Sequence, residues 1–213
     1  GNYYHPKLII CDYSFIKSLP RRDFISGLSE VIKSVLITSK TQTKFMDKNY
    51  KKIMKRDKKT VLKMIAKIIK IKINLVKRDE REKNVRMFLN YGHTIGQAIE
   101  SSSNLKLEHY RHGEAVALGM LCVAYLAEKY FKVKNLYNQH STIFKKYNLP
   151  LFINKFSKSR KQILKIIFDN ISKDKKRNHL GIRFVLLNGV GKPKIVSSLD
   201  SELVKLSIQR LIR

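Results

Sequence analysis

Arg86-Met-Phe-Leu-Asn-Tyr-Gly-His-Thr-Ile-Gly-Gln-Ala-Ile-Glu100, followed after a short interval by His112-Gly-Glu-Ala-Val-Ala-Leu-Gly-Met120, is the stretch around which the rest of the chain is organised. On a continuous helix over residues 86–100, Arg86, Asn90, His93, Gln97 and Glu100 recur at steps of four, three, four and three. Helical geometry puts such a series on one face, so five polar side chains share it. That row reads as a site rather than a solvated surface.

The same test upstream finds an apolar helical stripe at Val61, Leu62, Ile65, Ile69 and Val76, with Lys72 inside it. A buried ammonium is costly unless an anion or substrate compensates it. The alternative is a snorkelling side chain, whose stem covers apolar surface while its head reaches water. The residues alone leave both readings open.

A chain of 213 residues, 43% of them hydrophobic, buries a substantial core in one generous domain or two small ones. No apolar run approaches the roughly 18 residues of a membrane span, and the start shows no basic segment followed by an apolar one with a cleavage site. The expectation is a soluble, cytoplasmic protein with no membrane partner. Cys11 and Cys122 lie far apart in apolar surroundings, which predicts buried, reduced thiols and excludes a disulfide scaffold.

A formal charge of +29 admits nucleic acid or an anionic membrane as partner. The pattern argues otherwise. Lysines outnumber arginines 33 to 12, are scattered over the chain, and accompany many isoleucines and asparagines. Nucleic-acid surfaces favour arginine forks interleaved with aromatic side chains. The bias is also what an AT-rich genome imposes on surface positions, so a basic helical binding module is only the alternative reading.

Lys7-Leu-Ile-Ile-Cys-Asp12 reads as a short strand, and the abrupt start before it suggests a fragment. After Leu19-Pro20 a helix is expected over Arg21–Thr38, on which Glu30 and Lys33 are neighbours able to pair. Residues 44–77 predict one or two basic amphipathic helices, ending in a charged interruption at 79–84 where Asn84 supplies a positive φ. A polar loop over 101–111 leads to a helix from Gly113 to Phe131, rich in Ala, Gly and Met and suited to close packing. A further helix over 152–171, a basic loop over 173–177, a hairpin formed by residues 182–187 and 194–196, and a last helix capped by Asp200 complete a mainly α outline with a small β-hairpin.

His93 and His112 stand on opposite sides of the loop, each beside glycine. That spacing alone is weak. Glu30, a carboxylate among apolar neighbours, would complete a His/His/Glu set that leaves a fourth metal position open, the catalytic arrangement. Spacing does not establish that the three converge.

Gly27-Leu-Ser-Glu30-Val-Ile-Lys33, then Lys72, Asp79, Glu80, Glu82, Arg86 and Leu89-Asn-Tyr-Gly-His93-Thr-Ile-Gly, then His112-Gly-Glu-Ala-Val and Asp174-Lys-Lys176, strongly resemble 3-dehydroquinate synthase. The resemblance runs from end to end of the chain, and Gly1 to Pro6 and Leu19-Pro-Arg-Arg share it. It covers the C-terminal, mainly helical domain of that family, with residues 1–213 as its metal- and substrate-binding domain. The N-terminal NAD-binding domain would precede Gly1. The resemblance implies a phosphate-eliminating lyase of the shikimate pathway, in aromatic amino acid biosynthesis. It would convert 3-deoxy-D-arabino-heptulosonate 7-phosphate into 3-dehydroquinate with transient use of NAD, the isolated domain being inactive alone. By the same likeness zinc, or cobalt, would be held by Glu30, His93 and His112, and a homodimer is expected. Lys33 and Lys72 would hold the substrate's carboxylate and hydroxyls, Arg86 and Asn90 its phosphate, and Lys175 or Lys176 would complete the anion pocket. Asp79 and Glu82 would orient the basic groups or meet the cofactor side rather than perform chemistry. The family usually has a second histidine where this chain has Gln97, which hydrogen-bonds but does not titrate near neutral pH. That departure admits either altered pH behaviour or a related sugar-phosphate cyclase with another substrate.

Overall fold

A computed structural model describes residues 6–103, 109–154, 158–177, 182–197 and 199–213, with the side chains of residues 103 and 173–177 outside the description. Among these residues the chain forms nine α-helices, one 3-10 helix and a two-stranded antiparallel sheet. The mainly α outline with a minor hairpin is therefore the observed fold.

The fold is assembled on α6 (His112–Phe131), which is buried along most of its length from Gly113 to Ala127. Its Ala, Gly and Met content leaves a slim cylinder against which other elements lie close. α2 (Arg21–Thr38), α5 (His93–Ser103), α7 (Leu136–Lys146), α9 (Ser201–Gln209) and β1 (Arg183–Leu187) all pack on it. Two approaches are especially tight: a Cβ at Gly113 would collide with the Ser26 carbonyl, and one at Gly119 with the Gly92 carbonyl. α2 has the predicted bounds and buries Phe24, Ile25, Leu28, Ile32, Val35 and Leu36.

α3 (Lys40–Met54) and α4 (Lys58–Arg78) are the two basic helices, started by Ser39 and Asp57, whose side chains accept the N–H groups of Thr41 and Thr60. β1 pairs with β2 (Pro193–Ser197) in the register Arg183↔Ser197 to Leu187↔Pro193. Their turn is tied to α2 by the Gly191 N–H donating to the Leu36 carbonyl at 2.8 Å. Asp200 caps α9 as expected, accepting from the Glu202 N–H. α1 (Ser14–Ser18), a single turn, has no counterpart in the sequence reading.

Several expectations are corrected. Residues 86–100 are not one helix: a 3-10 helix over Val85–Asn90 ends at Tyr91, Gly92 takes φ +79, and α5 begins at His93. Only glycine fits at the break, since φ there is positive and a Cβ would stand 2.6 Å from Met120 Cγ. The Lys7–Asp12 strand finds no partner strand among the described residues, and Leu8, Ile9 and Ile10 are exposed. Cys11 is exposed, while Cys122 is buried as expected. Asn84 has φ −136, and the left-handed residue in that turn is Glu82, at φ 52.

The apolar stripe on α4 is also rotated. The buried face is Thr60, Val61, Met64, Ile71 and Leu75, whereas Leu62, Ile69 and Ile73 are exposed, and Lys72 with them. α4 meets α2, α3 and the 3-10 helix, and those contacts bury one side only. The helix expected over 152–171 is α8 (Arg160–Arg177), so the basic segment 173–177 is its last turn, not a loop. The expected polar loop over 101–111 begins later, because Ser103 still belongs to α5; residues 104–108 lie outside the described residues.

Candidate metal centre and anion-binding face

α2 supplies Glu30 and Lys33 one turn apart. Lys33 is only 4% exposed, and its Nζ donates to Glu30 Oε2 at 2.6 Å. Among the described residues the buried ammonium is thus Lys33 and not Lys72. Burial pushes its pKa down; the charge and hydrogen bond of Glu30 oppose that shift, and the charge of Lys72 adds to it.

The other carboxylate oxygen, Glu30 Oε1, is buried and has no hydrogen-bond partner among the described residues. It faces His93 Nε2 at 3.7 Å and His112 Nε2 at 3.8 Å. One ligand atom from each of the three residues lies within 4.8 Å of the others. Both histidines are held by the far nitrogen: His93 Nδ1 donates to the Tyr91 carbonyl at 3.4 Å, and His112 Nδ1 donates to Glu100 Oε2 at 2.8 Å. Each ring therefore turns its Nε2 toward the same point. Burial, then the Lys33 charge, lowers the His93 pKa against the pull of Glu30, which favours the neutral imidazole. Two imidazoles and an orphaned carboxylate oxygen are a donor set that fits a zinc-like divalent cation.

The start of α6 is fixed to α2 around this cluster. Glu114 accepts the Arg111 N–H in a capping box and receives both Nε and Nη2 of Arg22 at 2.7 Å. The Gly113 N–H donates to Ser26 Oγ at 3.1 Å, and any side chain at Gly113 would strike the Ser26 carbonyl. Behind the cluster, Tyr91 is fully buried, and its hydroxyl donates to His140 Nε2 at 2.9 Å. His140 Nδ1 donates to the Leu136 carbonyl at 2.8 Å, and burial lowers the histidine's pKa to about 4.

Beside the metal cluster lies a second group. The Asp79 carboxylate accepts the N–H groups of Lys83, Asn84 and Arg86 at 3.0, 2.7 and 3.0 Å, folding residues 79–86 into a turn. Burial raises its pKa, but these three donors and the Arg86 charge outweigh it and hold the carboxyl below its usual value. Glu82 then gathers the site residues: Oε1 accepts from Asn90 Nδ2 at 2.7 Å, and Oε2 lies 3.8 Å from Arg86 Nε. Arg86 Nη1 also donates to the Glu80 carbonyl at 2.5 Å.

The structure thus brings together Glu30, Lys33, His93 and His112, and separately Arg86 and Asn90 through Glu82. Lys72 is exposed yet near enough to Lys33 to lower its pKa. Gln97 follows His93 by one turn of α5 and is exposed. The side chains of Lys175 and Lys176 lie outside the described residues. Sequence reasoning missed the pairing of Glu100 with His112. Its one trace was the seven-residue step from His93 to Glu100, which names a shared face but no partner.

Residues 27–177 match the family described as 3-dehydroquinate synthase C-terminal. The chain is 37% identical over 207 residues to the 3-dehydroquinate synthase of Thermodesulfovibrio yellowstonii, covering 96% of this chain and 55% of that protein. It is 34% identical over 213 residues to the enzyme of Clostridium tetani, covering 100% and 54%. The Sulfurisphaera tokodaii enzyme is 38% identical over 178 residues, covering 83% and 49%. The chain therefore spans about half the length of the curated relatives it matches. Among solved structures, a 2-deoxy-scyllo-inosose synthase complexed with carbaglucose-6-phosphate, NAD+ and Co2+ superposes with a TM-score of 0.81 at 24% identity, covering 98% of this chain and 57% of that one. The 2-epi-5-epi-valiolone synthase ValA of Streptomyces hygroscopicus subsp. jinggangensis, with NAD+ and Zn2+ bound, gives 0.76 at 17%, covering 94% and 54%. At these identities the two structures bear on the fold alone.

Proposed function

The chain belongs to the 3-dehydroquinate synthase C-terminal family, and on that premise we propose that it is the metal- and substrate-binding half of a 3-dehydroquinate synthase. The reaction is conversion of 3-deoxy-D-arabino-heptulosonate 7-phosphate to 3-dehydroquinate with loss of phosphate. The observation that carries the reading is Glu30 Oε1, buried, without a partner among the described residues and facing two imidazole nitrogens.

Glu30, His93 and His112 would hold zinc or cobalt. Such a cation, when bound, lowers the pKa of a coordinated alcohol and so assists departure of its hydride to NAD. NAD itself would be met mainly by an N-terminal domain of the complete enzyme. Lys33, fixed on Glu30 and depressed in pKa, is placed to donate a hydrogen bond to substrate oxygen beside the metal centre and to exchange a proton there. Arg86 and Asn90, held by Glu82, offer a guanidinium fork and an amide for the phosphate and its neighbouring oxygens. Lys72 adds a mobile charge at the rim, and the departing phosphate can itself take the proton that elimination releases. Gln97 favours a second reading, a sister sugar-phosphate cyclase, because a titratable histidine is the usual residue there.

Metal content of the purified chain after exhaustive dialysis tests the carrying observation. About one zinc or cobalt per chain is expected, lost in folded Glu30→Ala and His112→Ala. Unchanged content in those variants overturns the assigned ligands. Phosphate release from the heptulosonate phosphate by the complete enzyme with NAD tests the reaction; release only from another sugar phosphate establishes the sister cyclase instead.

A further inference from the structure

We propose that Glu100 is a positioning residue for the metal centre, fixing the His112 ring so that Nε2 rather than Nδ1 faces Glu30 and His93. The inference rests on the metal reading given above.

The two histidines are held in different ways. His93 has a side chain only 15% exposed, and its Nδ1 bonds to the backbone of the preceding turn. Its ring orientation is set by its own surroundings. His112 is the first residue of α6, and its side chain is 47% exposed. Packing constrains that ring less, its one aromatic neighbour among the described residues being the His93 ring at 5.4 Å. An imidazole presents two nitrogens, and the one that binds metal is decided by what the other is bonded to. At 2.8 Å the Glu100 Oε2 contact on Nδ1 is the close one, against 3.8 Å from Nε2 to Glu30 Oε1. A carboxylate accepts and does not donate, so Nδ1 carries the proton and Nε2 keeps its lone pair for the cation.

Glu100 is not itself a ligand in this arrangement. It occupies the side of the imidazole away from Nε2, and the group of ligand atoms that converge comprises Glu30, His93 and His112 without it. Glu100 is also carried rigidly. It lies on α5, which packs closely on α6, with Gly119 against the Gly92 carbonyl at their crossing. The carboxylate therefore arrives at a fixed distance from the start of α6. The structure assigns it the orienting role that a carboxylate beyond a metal-bound histidine plays, where its loss weakens metal affinity about 10- to 100-fold.

The test is chelator competition with Zn2+ and Co2+ on the purified chain, with the visible spectrum of the Co2+ form as a readout of ligand geometry. Glu100→Ala is expected to raise the dissociation constant about 10- to 100-fold and to shift the Co2+ bands. Glu100→Gln keeps an oxygen that accepts from Nδ1–H and is expected to recover most of that loss, with circular dichroism checking that both variants fold. A Glu100→Ala protein that binds metal like wild type, while His112→Ala does not, overturns the positioning role and leaves the metal centre standing. Equal weakening by Ala and Gln also overturns it, because the effect is then one of charge and not of the hydrogen bond. A folded wild type that binds neither ion overturns the metal reading and this inference with it.

Discussion

The two sides of the site are built on opposite principles. On the metal side, Glu30, His93 and His112 project from α2, α5 and α6, helices whose approach is set by backbone contacts at Gly92, Gly113 and Gly119. On the anion side, Lys72, Arg86 and Asn90 come from the exposed flank of α4 and a 3-10 helix, where Leu62, Ile69 and Ile73 also meet solvent. The candidate metal ligands are held by packing that tolerates no added atoms. The anion-binding groups are arranged by a hydrogen-bonded turn, Asp79 to Arg86, and by one carboxylate, Glu82. Close packing fixes positions to fractions of an ångström, and polar turns fix direction while leaving reach. Under the proposed function, a cation would need the first and a flexible phosphorylated substrate the second.

That contrast breaks most sharply if the helix crossing is loosened. Gly119→Ala forces α6 off α5 and is expected to cost about 3 kcal/mol or more, measured by urea denaturation; an unchanged midpoint would mean that the crossing is not what sets the metal side. Next comes pH. His140 titrates at about 4 in the fold against 6.5 unfolded, so between these values the unfolded chain binds more protons. Stability is then full above 6.5 and falls as pH drops toward 4, by about 3 kcal/mol. His140→Gln should flatten that difference, and parallel curves for wild type and variant would show that burial of the His140 imidazole contributes nothing to it.

On the anion side, effects belong to catalysis. Arg86→Lys in the complete enzyme is expected to lower kcat/KM about a hundredfold through loss of the fork, with stability unaffected. Lys72→Ala is expected to raise KM about tenfold while changing stability by no more than about 0.5 kcal/mol. A destabilised Lys72→Ala protein would show that this flank is structural after all. The smallest effect is expected from Gln97→His, which adds a group titrating near 6.5 and so a new limb in the pH–rate profile. An unchanged profile would remove position 97 from the proton inventory.

Much of this was legible beforehand. Arg21–Thr38, the hairpin and the Asp200 cap follow from local periodicity and turn chemistry, and they hold in the fold. Glu30, His93 and His112 were named from residue type and motif resemblance, and the structure brings their ligand atoms together. The failures share one cause. The helix over 86–100 and the stripe on α4 rest on spacing alone, but the positive φ of Gly92, close against Met120 of α6, interrupts the first and the choice of packing partners turns the second. For Lys72 the stripe leaves burial and snorkelling open; the fold exposes it and buries Lys33 instead, because periodicity ranks residues within one helix and does not say which face is covered.

By itself the sequence determined the Arg21–Thr38 helix, the Asp200 cap, the hairpin and the chemical inventory of the site, since these depend on neighbours within a few residues. Only the tertiary structure decided which nitrogen of each histidine faces Glu30, that Glu30 Oε1 lacks a partner among the described residues, and that Glu100 from α5 reaches His112 on α6. Those facts depend on the distance between helices that are separate in sequence, and that distance is set by contacts no local pattern encodes.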